Sequence, residues 1–343
     1  MTLTTPPLAS SAAPTDPTGE AVASAPAAAP APAPAPASQR PARTPVARRY
    51  LMCPPVHFDV VYAINPWMDV TVPVDAGHAV VQWQTLKAAY EAHGHTVDVI
   101  SPVRGLPDMV YAANGGIVVG GKALAARFTH AERQPEGAAY EAWLGASGPA
   151  RRITSLGQAA ELNEGEGDLL WDGEVLLAGT GFRTSRAAHA EVAERLGVEV
   201  VTLELVDPRF YHLDTALAVL STASGSTAAD GGTRPEVAYF PQAFTPESRA
   251  VLRERYPDAI EASEDDAAVL GLNAVSDGLH VFLSDRATGM HAALRERGFR
   301  PVGIDLSELL KGGGSVKCCT LELRPAPEPS RRPDALTAKE ARA

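Results

Sequence analysis

Cys318 closes the run Gly312-Gly313-Gly314-Ser315-Val316-Lys317-Cys318, and Cys319 follows it. A thiolate is a strong nucleophile near neutral pH, and glycines let backbone approach a ligand closely because no Cβ intervenes. His212 and the acidic run Glu164-Gly165-Glu166-Gly167-Asp168 add an imidazole for proton transfer and carboxylates to orient a cation or a base. Taken singly, each has a plainer reading. A free cysteine is usually packing, a histidine is more often structural, and a Gly-rich acidic run often makes an edge turn. Two adjacent cysteines with a histidine lack the four spaced ligands of a structural zinc site. No Gly-x-Ser-x-Gly elbow offers a serine nucleophile.

What raises these residues above packing is their place in a repeat. A short apolar strand, a tight turn, a second strand, a helix and a third strand recur along the chain. The clearest copy starts at Asp168: Leu169-Leu170-Trp171, the turn Asp172-Gly173, Val175 to Ala178, a helix from Arg186 to Leu196, Gly197, and a strand from Val198 to Leu205. Asp-Gly between apolar runs signals a hairpin, and a glycine marks the helix end. A second copy starts at Asn273, with the turn Asp277-Gly278 and a helix near Thr288 to Arg297. A third starts at Asp108, with strands expected at Met109 to Ala112 and Ile117 to Val119 around the turn Gly115-Gly116. A fourth starts at His212, with a Gly/Ser/Thr-rich insertion between its first two strands. The fifth is split across the termini: Cys319 to Leu323, Arg49 to Pro54, a helix near Val80 to His93, and Thr96 to Ile100.

Units that cannot each bury their own apolar face must share a core. Five of them, with both ends of the chain in one unit, predict an α/β fold closed as a five-bladed β/α propeller with pseudo-five-fold symmetry. An open α/β sheet is the alternative. In the ring, Asp108, His212, Asn273, Cys318 and the Glu164–Asp168 run, each expected just before a first strand, converge on one axis.

Composition sets the limits. The 343 residues are 45% hydrophobic and 21% charged, with a formal net charge of -11. That balance disfavours non-specific binding to nucleic acid or an anionic membrane and suits a small cationic substrate. Three cysteines, Cys53, Cys318 and Cys319, do not make a disulfide framework, which predicts reduced thiols and a cytoplasmic protein. No apolar run reaches membrane-helix length. Residues 1–46 are Ala/Pro-rich and read as a disordered tail, 47–325 as the propeller unit, and 326–343 as a disordered C-terminal tail.

At these residues the chain resembles the guanidino-group-modifying superfamily of arginine deiminases, dimethylarginine dimethylaminohydrolases, arginine dihydrolases and amidinotransferases. The matching segments are Pro107-Asp108-Met109-Val110-Tyr111 with Asn114, Glu164 to Asp168, Gly181-Phe182-Arg183-Thr184, His212-Leu213-Asp214-Thr215, and Gly312 to Thr320. The resemblance implies Cys318 as nucleophile, His212 as acid and base, and Glu164 as the carboxylate for the guanidinium, with Glu166 a second candidate. It implies substrate contacts from Asp108, Tyr111, Asn114 and Asp214, and a clamp on the substrate carboxylate from Arg133 and Arg183. The fold it implies is the five-bladed propeller.

The implied reaction is hydrolysis of dimethylarginine to citrulline and dimethylamine, with no metal or organic cofactor. Arginine hydrolysis to citrulline or ornithine is the alternative, then amidino transfer, then a non-catalytic binding propeller. Asn114 stands where deiminases and dimethylarginine hydrolases usually carry Asp, and resembles the dihydrolases. The expected partner is the small guanidino substrate alone, with a homodimer allowed.

Overall fold

The computed structural model describes residues 43–146, 151–222 and 234–326. The sequence expectations for residues 1–42, for 223–233 and for 327–343 lie outside the described residues. Residues 43–46 were expected in the tail. Arg43 instead stacks 3.6 Å over the Phe299 ring and pairs with Glu236 at 2.6 Å, and Val46 N–H donates to Asp277 O.

Fifteen described strands form five three-stranded sheets, in the orders β15-β1-β2, β3-β4-β5, β6-β7-β8, β11-β10-β9 and β12-β13-β14. The strands are β1 Arg49–Met52, β2 Thr96–Val99, β3 Gly116–Val119, β4 Lys122–Ala125, β5 Thr154–Gln158, β6 Leu169–Trp171, β7 Leu176–Thr180, β8 Val200–Glu204, β9 Leu217–Ser221, β10 Glu236–Tyr239, β11 Ile260–Glu261, β12 Val275–Ser276, β13 His280–Ser284, β14 Arg300–Ile304 and β15 Leu321–Glu322. Each sheet has one antiparallel and one parallel pair sharing its central strand. A parallel pair needs a crossover. The crossovers carry α1 Ala76–Ala92, α2 Gln134–Ala146, α3 Arg186–Leu196, α4 Pro246–Arg255 and α5 Thr288–Glu296.

The sheet of β6, β7 and β8 shows why the sequence folds this way. Asp172 Oδ1 accepts from the backbone N–H of Glu174 and Val175 at 2.8 and 2.7 Å, and Gly173 takes φ +103 to close the hairpin. Ser185 caps α3 by accepting from Ala188 N–H, and Gly197 ends it in the left-handed region at φ +74. Ala188, Val192 and Leu196 face inward at helical spacing. Burying a leucine or valine of this kind contributes roughly 1.5–3 kcal/mol.

The apolar cores are shared between sheets. One cluster joins Ile117 and Leu124 to Leu176 and Ala178. Another joins Leu51 to Val118 and Leu321, and a third joins Tyr50 to Phe282. A large cluster links Leu177, Ala238 and Val281. No single sheet buries its own face.

The copy beginning at Asp108 departs from the expected register. Residues Pro107–Val110 and Ala112–Gly115 form two 3-10 turns, and the first strand is β3. The hairpin turn falls on Gly120-Gly121, at φ +57 and +80, because a two-residue hairpin needs positive φ at both positions and Gly115 does not supply it. His212 likewise precedes a one-turn helix, Leu213–Ala216, before β9. The chemistry-bearing residues therefore sit on the turns entering the first strands, at offsets that differ from sheet to sheet. Among the described residues, no helix is long and apolar enough to cross a membrane.

Candidate active site

Those entry turns bring Cys318, Asp214 and Asn273 together. Cys318 is 2% exposed, and its Sγ lies 3.4 Å from Asp214 Oδ2 and 3.1 Å from Asn273 Nδ2. The glycine run makes room for this. A Cβ on Gly314 would fall 2.3 Å from the Tyr111 ring, and one on Gly312 would fall 2.1 Å from the Tyr111 hydroxyl. Tyr111 donates that hydroxyl to Leu309 O at 2.7 Å, and Tyr211 donates to Gly313 O at 2.8 Å. The two tyrosines thus fix the loop that carries the thiol.

His212 Nε2 lies 2.8 Å from Glu164 Oε2. An ionised carboxylate only accepts, so Nε2 carries the proton. His212 Nδ1 is buried without a protein partner, which leaves it the nitrogen able to take and return a proton. Glu164 also accepts from Arg183 Nη1 at 3.0 Å and from Thr129 N–H at 3.1 Å. Glu166 turns elsewhere, to Lys317 Nζ at 2.7 Å and to Arg324. The side chain that faces His212 is therefore Glu164, the first of the two candidates in the acidic run. Asp168 accepts from Leu213 N–H at 3.0 Å and Thr184 N–H at 3.2 Å, tying the acidic run to the His212 turn.

Asp108 accepts from the Tyr62 hydroxyl at 3.0 Å, and Arg133 Nη1 donates to Asn114 Oδ1 at 2.9 Å. Arg133 can only donate, so the free end of Asn114 is its Nδ2. Gly167 packs against that atom: a Cβ there would meet Asn114 Nδ2 at 2.3 Å and the His212 ring at 3.2 Å. Asp108 Oδ1, Asn114 Nδ2, His212 Nδ1 and Asp214 Oδ1 are all buried with no protein partner. Buried polar groups are normally satisfied, so four orphans in one set of neighbouring turns mark a place built for a polar ligand.

Arg133 and Arg183 are each buried and internally paired. Arg133 forms a fork with Glu136 at 3.0 and 2.8 Å, and Arg183 holds Glu164 and donates to Ile64 O at 2.8 Å while lying 4.7 Å from the Tyr211 ring centre. Sequence reading missed Tyr62, Thr129 and Tyr211. Tyr211 adjoins His212, and that adjacency was its one available signal. Tyr62 and Thr129 stand in irregular backbone with no periodicity.

Burial pushes the Cys318 thiol well up, and the Asp214 carboxylate beside it adds to the rise. Burial also raises Asp214 to about 6, against the lowering pull of His212 and Lys317. For Glu164, burial pushes upward, but Arg183 and then the hydrogen bond from His212 outweigh it and hold the carboxyl well below the usual range. The site thus keeps one firm anion, one carboxyl poised near 6 and one protonated thiol. A bound cation would favour ionisation of both the thiol and Asp214. Among the described residues, no group of His, Cys, Asp and Glu is placed to hold a metal ion.

No family model matches the chain. It is 55% identical over 283 residues to the N(G),N(G)-dimethylarginine dimethylaminohydrolase of Mycobacterium tuberculosis, covering 82% of this chain and 88% of that one. It is 38% identical over 280 residues to the bifunctional arginine dihydrolase/ornithine cyclodeaminase ArgZ of a Synechocystis species, covering 80% of this chain and 37% of that longer protein. The crystal structure of the substrate-bound N-terminal domain of ArgZ, an arginine dihydrolase from cyanobacteria, superposes with a TM-score of 0.73 at 36% identity, over 82% of this chain and all of that domain. Fold and site define a member of the guanidino-modifying class, and the chain belongs within it to the family of dimethylarginine dimethylaminohydrolases and arginine dihydrolases.

Proposed function

We propose that this chain hydrolyses dimethylarginine to citrulline and dimethylamine through a covalent thiouronium on Cys318. The observation that carries the proposal is the joint burial of Cys318, His212, Glu164 and Asp214 with four unpartnered polar atoms. The 55% identity to a dimethylarginine hydrolase supports the substrate. The five sheets, whose cores are each shared between sheets, are read as a closed five-bladed propeller spanning residues 47–325. Three free cysteines suit work in the cytoplasm.

In this reading the substrate guanidinium enters between Glu164, Asp214 and Cys318, and its charge favours the thiolate. His212 Nδ1 takes the thiol proton as the sulfur ionises, Sγ attacks the guanidinium carbon, and Nδ1 passes that proton to the departing dimethylamine, leaving the thiouronium. Water then adds to the thiouronium carbon, losing its proton to Nδ1, and collapse of that adduct releases the ureido product and the thiolate. Asp108 and Tyr111 bound the α-amino end. Arg133 and Arg183 take the substrate carboxylate in this reading, which requires Arg133 to give up part of its pairing with Glu136 and Asn114 and Arg183 to loosen its hold on Glu164.

One observation favours a second reading, arginine hydrolysis. Asn114 presents a neutral donor where a carboxylate would accept from an N–H, and the arginine dihydrolases are the other relatives. A dimethylated nitrogen has no N–H to offer a carboxylate, so the same neutral group also fits the first substrate. Incubation of purified protein with asymmetric dimethylarginine and with arginine separates the readings. Equal amounts of citrulline and dimethylamine are expected from the first. Ammonia with ornithine from arginine alone would select the second, and no product from either would overturn both.

A further inference from the structure

Asn273 touches the reactive sulfur, and no role has been given to it so far. Its side chain is fully buried. Its Oδ1 accepts from the backbone N–H of Cys318 at 3.0 Å. Its Nδ2 donates to Asp214 O at 3.1 Å and to Cys318 Sγ at 3.1 Å. Its backbone carbonyl accepts from Lys317 N–H at 3.2 Å.

The amide cannot be turned over. The Cys318 N–H can only donate, so it must face Oδ1, and the Asp214 carbonyl can only accept, so it must face Nδ2. The second N–H of that Nδ2 is thereby left for the sulfur. An amide N–H aimed at sulfur is a donor to the anion, and a hydrogen bond to the charged form favours that form.

We infer that Asn273 is a catalytic residue of this site, a fixed donor that stabilises the Cys318 thiolate as it forms and as it leaves the hydrolysed adduct. Beside Asn273, the Ser315 backbone N–H favours the anion, while the other groups facing the sulfur do not. Asp214 and Cys319 raise the thiol, and Tyr111 and Tyr211 lie near it as neutral hydroxyls engaged with backbone carbonyls. The same amide spans Cys318 and Asp214, so it also fixes the distance between nucleophile and carboxylate. Lys317, whose ammonium is held by Glu166 and Thr320 O, anchors the other side of the thiol loop.

The inference rests on Cys318 being the nucleophile, and its test needs no substrate. The rate of Cys318 alkylation by iodoacetamide is followed against pH in the full chain, with the labelled residue located by peptide fragmentation. Asn273→Ala removes the donor. Asn273→Asp keeps the shape and the acceptor for Cys318 N–H but replaces the donor with charge. The apparent thiol pKa is expected to rise by about one unit in the alanine variant and further in the aspartate variant. With substrate, kcat should fall about tenfold or more while KM changes little.

Profiles that coincide with wild type, or an aspartate variant whose profile moves to lower pH, would overturn the inference. Should neither variant fold, the wild-type side-chain amide resonance of Asn273 decides: it must titrate with the Cys318 thiol and be unmoved in Cys318→Ser. Absence of that titration would also overturn it. A shifted alkylation profile in a protein that turns over neither dimethylarginine nor arginine would count against the proposed function alone.

Discussion

His212 donates its Nε2–H to Oε2 of Glu164 across 2.8 Å, and both side chains are almost wholly excluded from solvent. That contact fixes the tautomer of the imidazole and leaves Nδ1 free for proton transfer. It also places the firmest anion of the site next to the imidazole proposed as its acid and base. Glu164→Gln keeps the shape but cannot hold a cationic imidazole or guanidinium. We predict a fall in kcat/KM of at least about 100-fold, since charged hydrogen bonds of this kind contribute roughly 1.5–3 kcal/mol each. Steady-state kinetics on folded variant checks this. In wild type the carboxyl is held low, so its stabilisation is present above the usual carboxylate pKa and is lost as pH falls through and below that range.

Asp214 carries the opposite sign. Its folded value is raised from 3.8 to about 6, chiefly by burial. A raised carboxyl binds protons more tightly folded than unfolded, so its contribution is present below about pH 4 and lost as pH rises through 6. Asp214→Asn removes that loss. The variant should be more stable than wild type at pH 8, by on the order of 1–3 kcal/mol, with the difference shrinking toward pH 4, while activity collapses. Denaturant unfolding of both proteins at pH 4, 6 and 8 measures it. A variant less stable than wild type at pH 8 would contradict the assignment.

Gly312 is kept small by Tyr111. A Cβ there would sit 2.1 Å from the Tyr111 hydroxyl, which is committed to Leu309 O. Gly312→Ala must displace either the ring or the thiol loop. We expect a loss of about 1–3 kcal/mol in unfolding free energy, the range for overpacking, and a fall in kcat larger than any change at neighbouring surface sites. The control is Gly145→Ala, where an added Cβ meets nothing within 4 Å.

Much of this was legible in the chain. The repeats at Asp168 and Asn273 stand out because Asp-Gly turns between apolar runs dictate hairpins, and the structure places hairpins there, β6-β7 and β12-β13. The copy at Asp108 was misread because Gly115-Gly116 looks like a turn as good as Gly120-Gly121, and only the tertiary bond from Ala113 N–H to Cys318 O shows that the first segment belongs to the site rather than the sheet. Glu164 and Glu166 could not be separated in sequence. They diverge because the 3-10 turn at Gly165–Gly167 points one at His212 and the other at Lys317 and Arg324. The coil that brings Tyr62 and Ile64 to the site has no periodicity to read, since its placement comes from long-range bonds such as Asn65 Nδ2 to Gly312 O at 3.1 Å. Asn273 was visible as a polar residue opening a repeat, but its grip on sulfur is a matter of geometry.

The central claim is that Cys318, rather than Cys319, attacks the guanidinium carbon. Cys319 is buried with its thiol pushed up by burial and has no side-chain hydrogen bond to the site residues described above. The most direct measurement is acid quenching of the protein during turnover of dimethylarginine, followed by mass analysis of the peptide holding both cysteines. The account predicts an adduct whose fragment ions place the added mass on Cys318, absent in Cys318→Ser and retained in Cys319→Ser. An adduct on Cys319, or full turnover by Cys318→Ser, would contradict it.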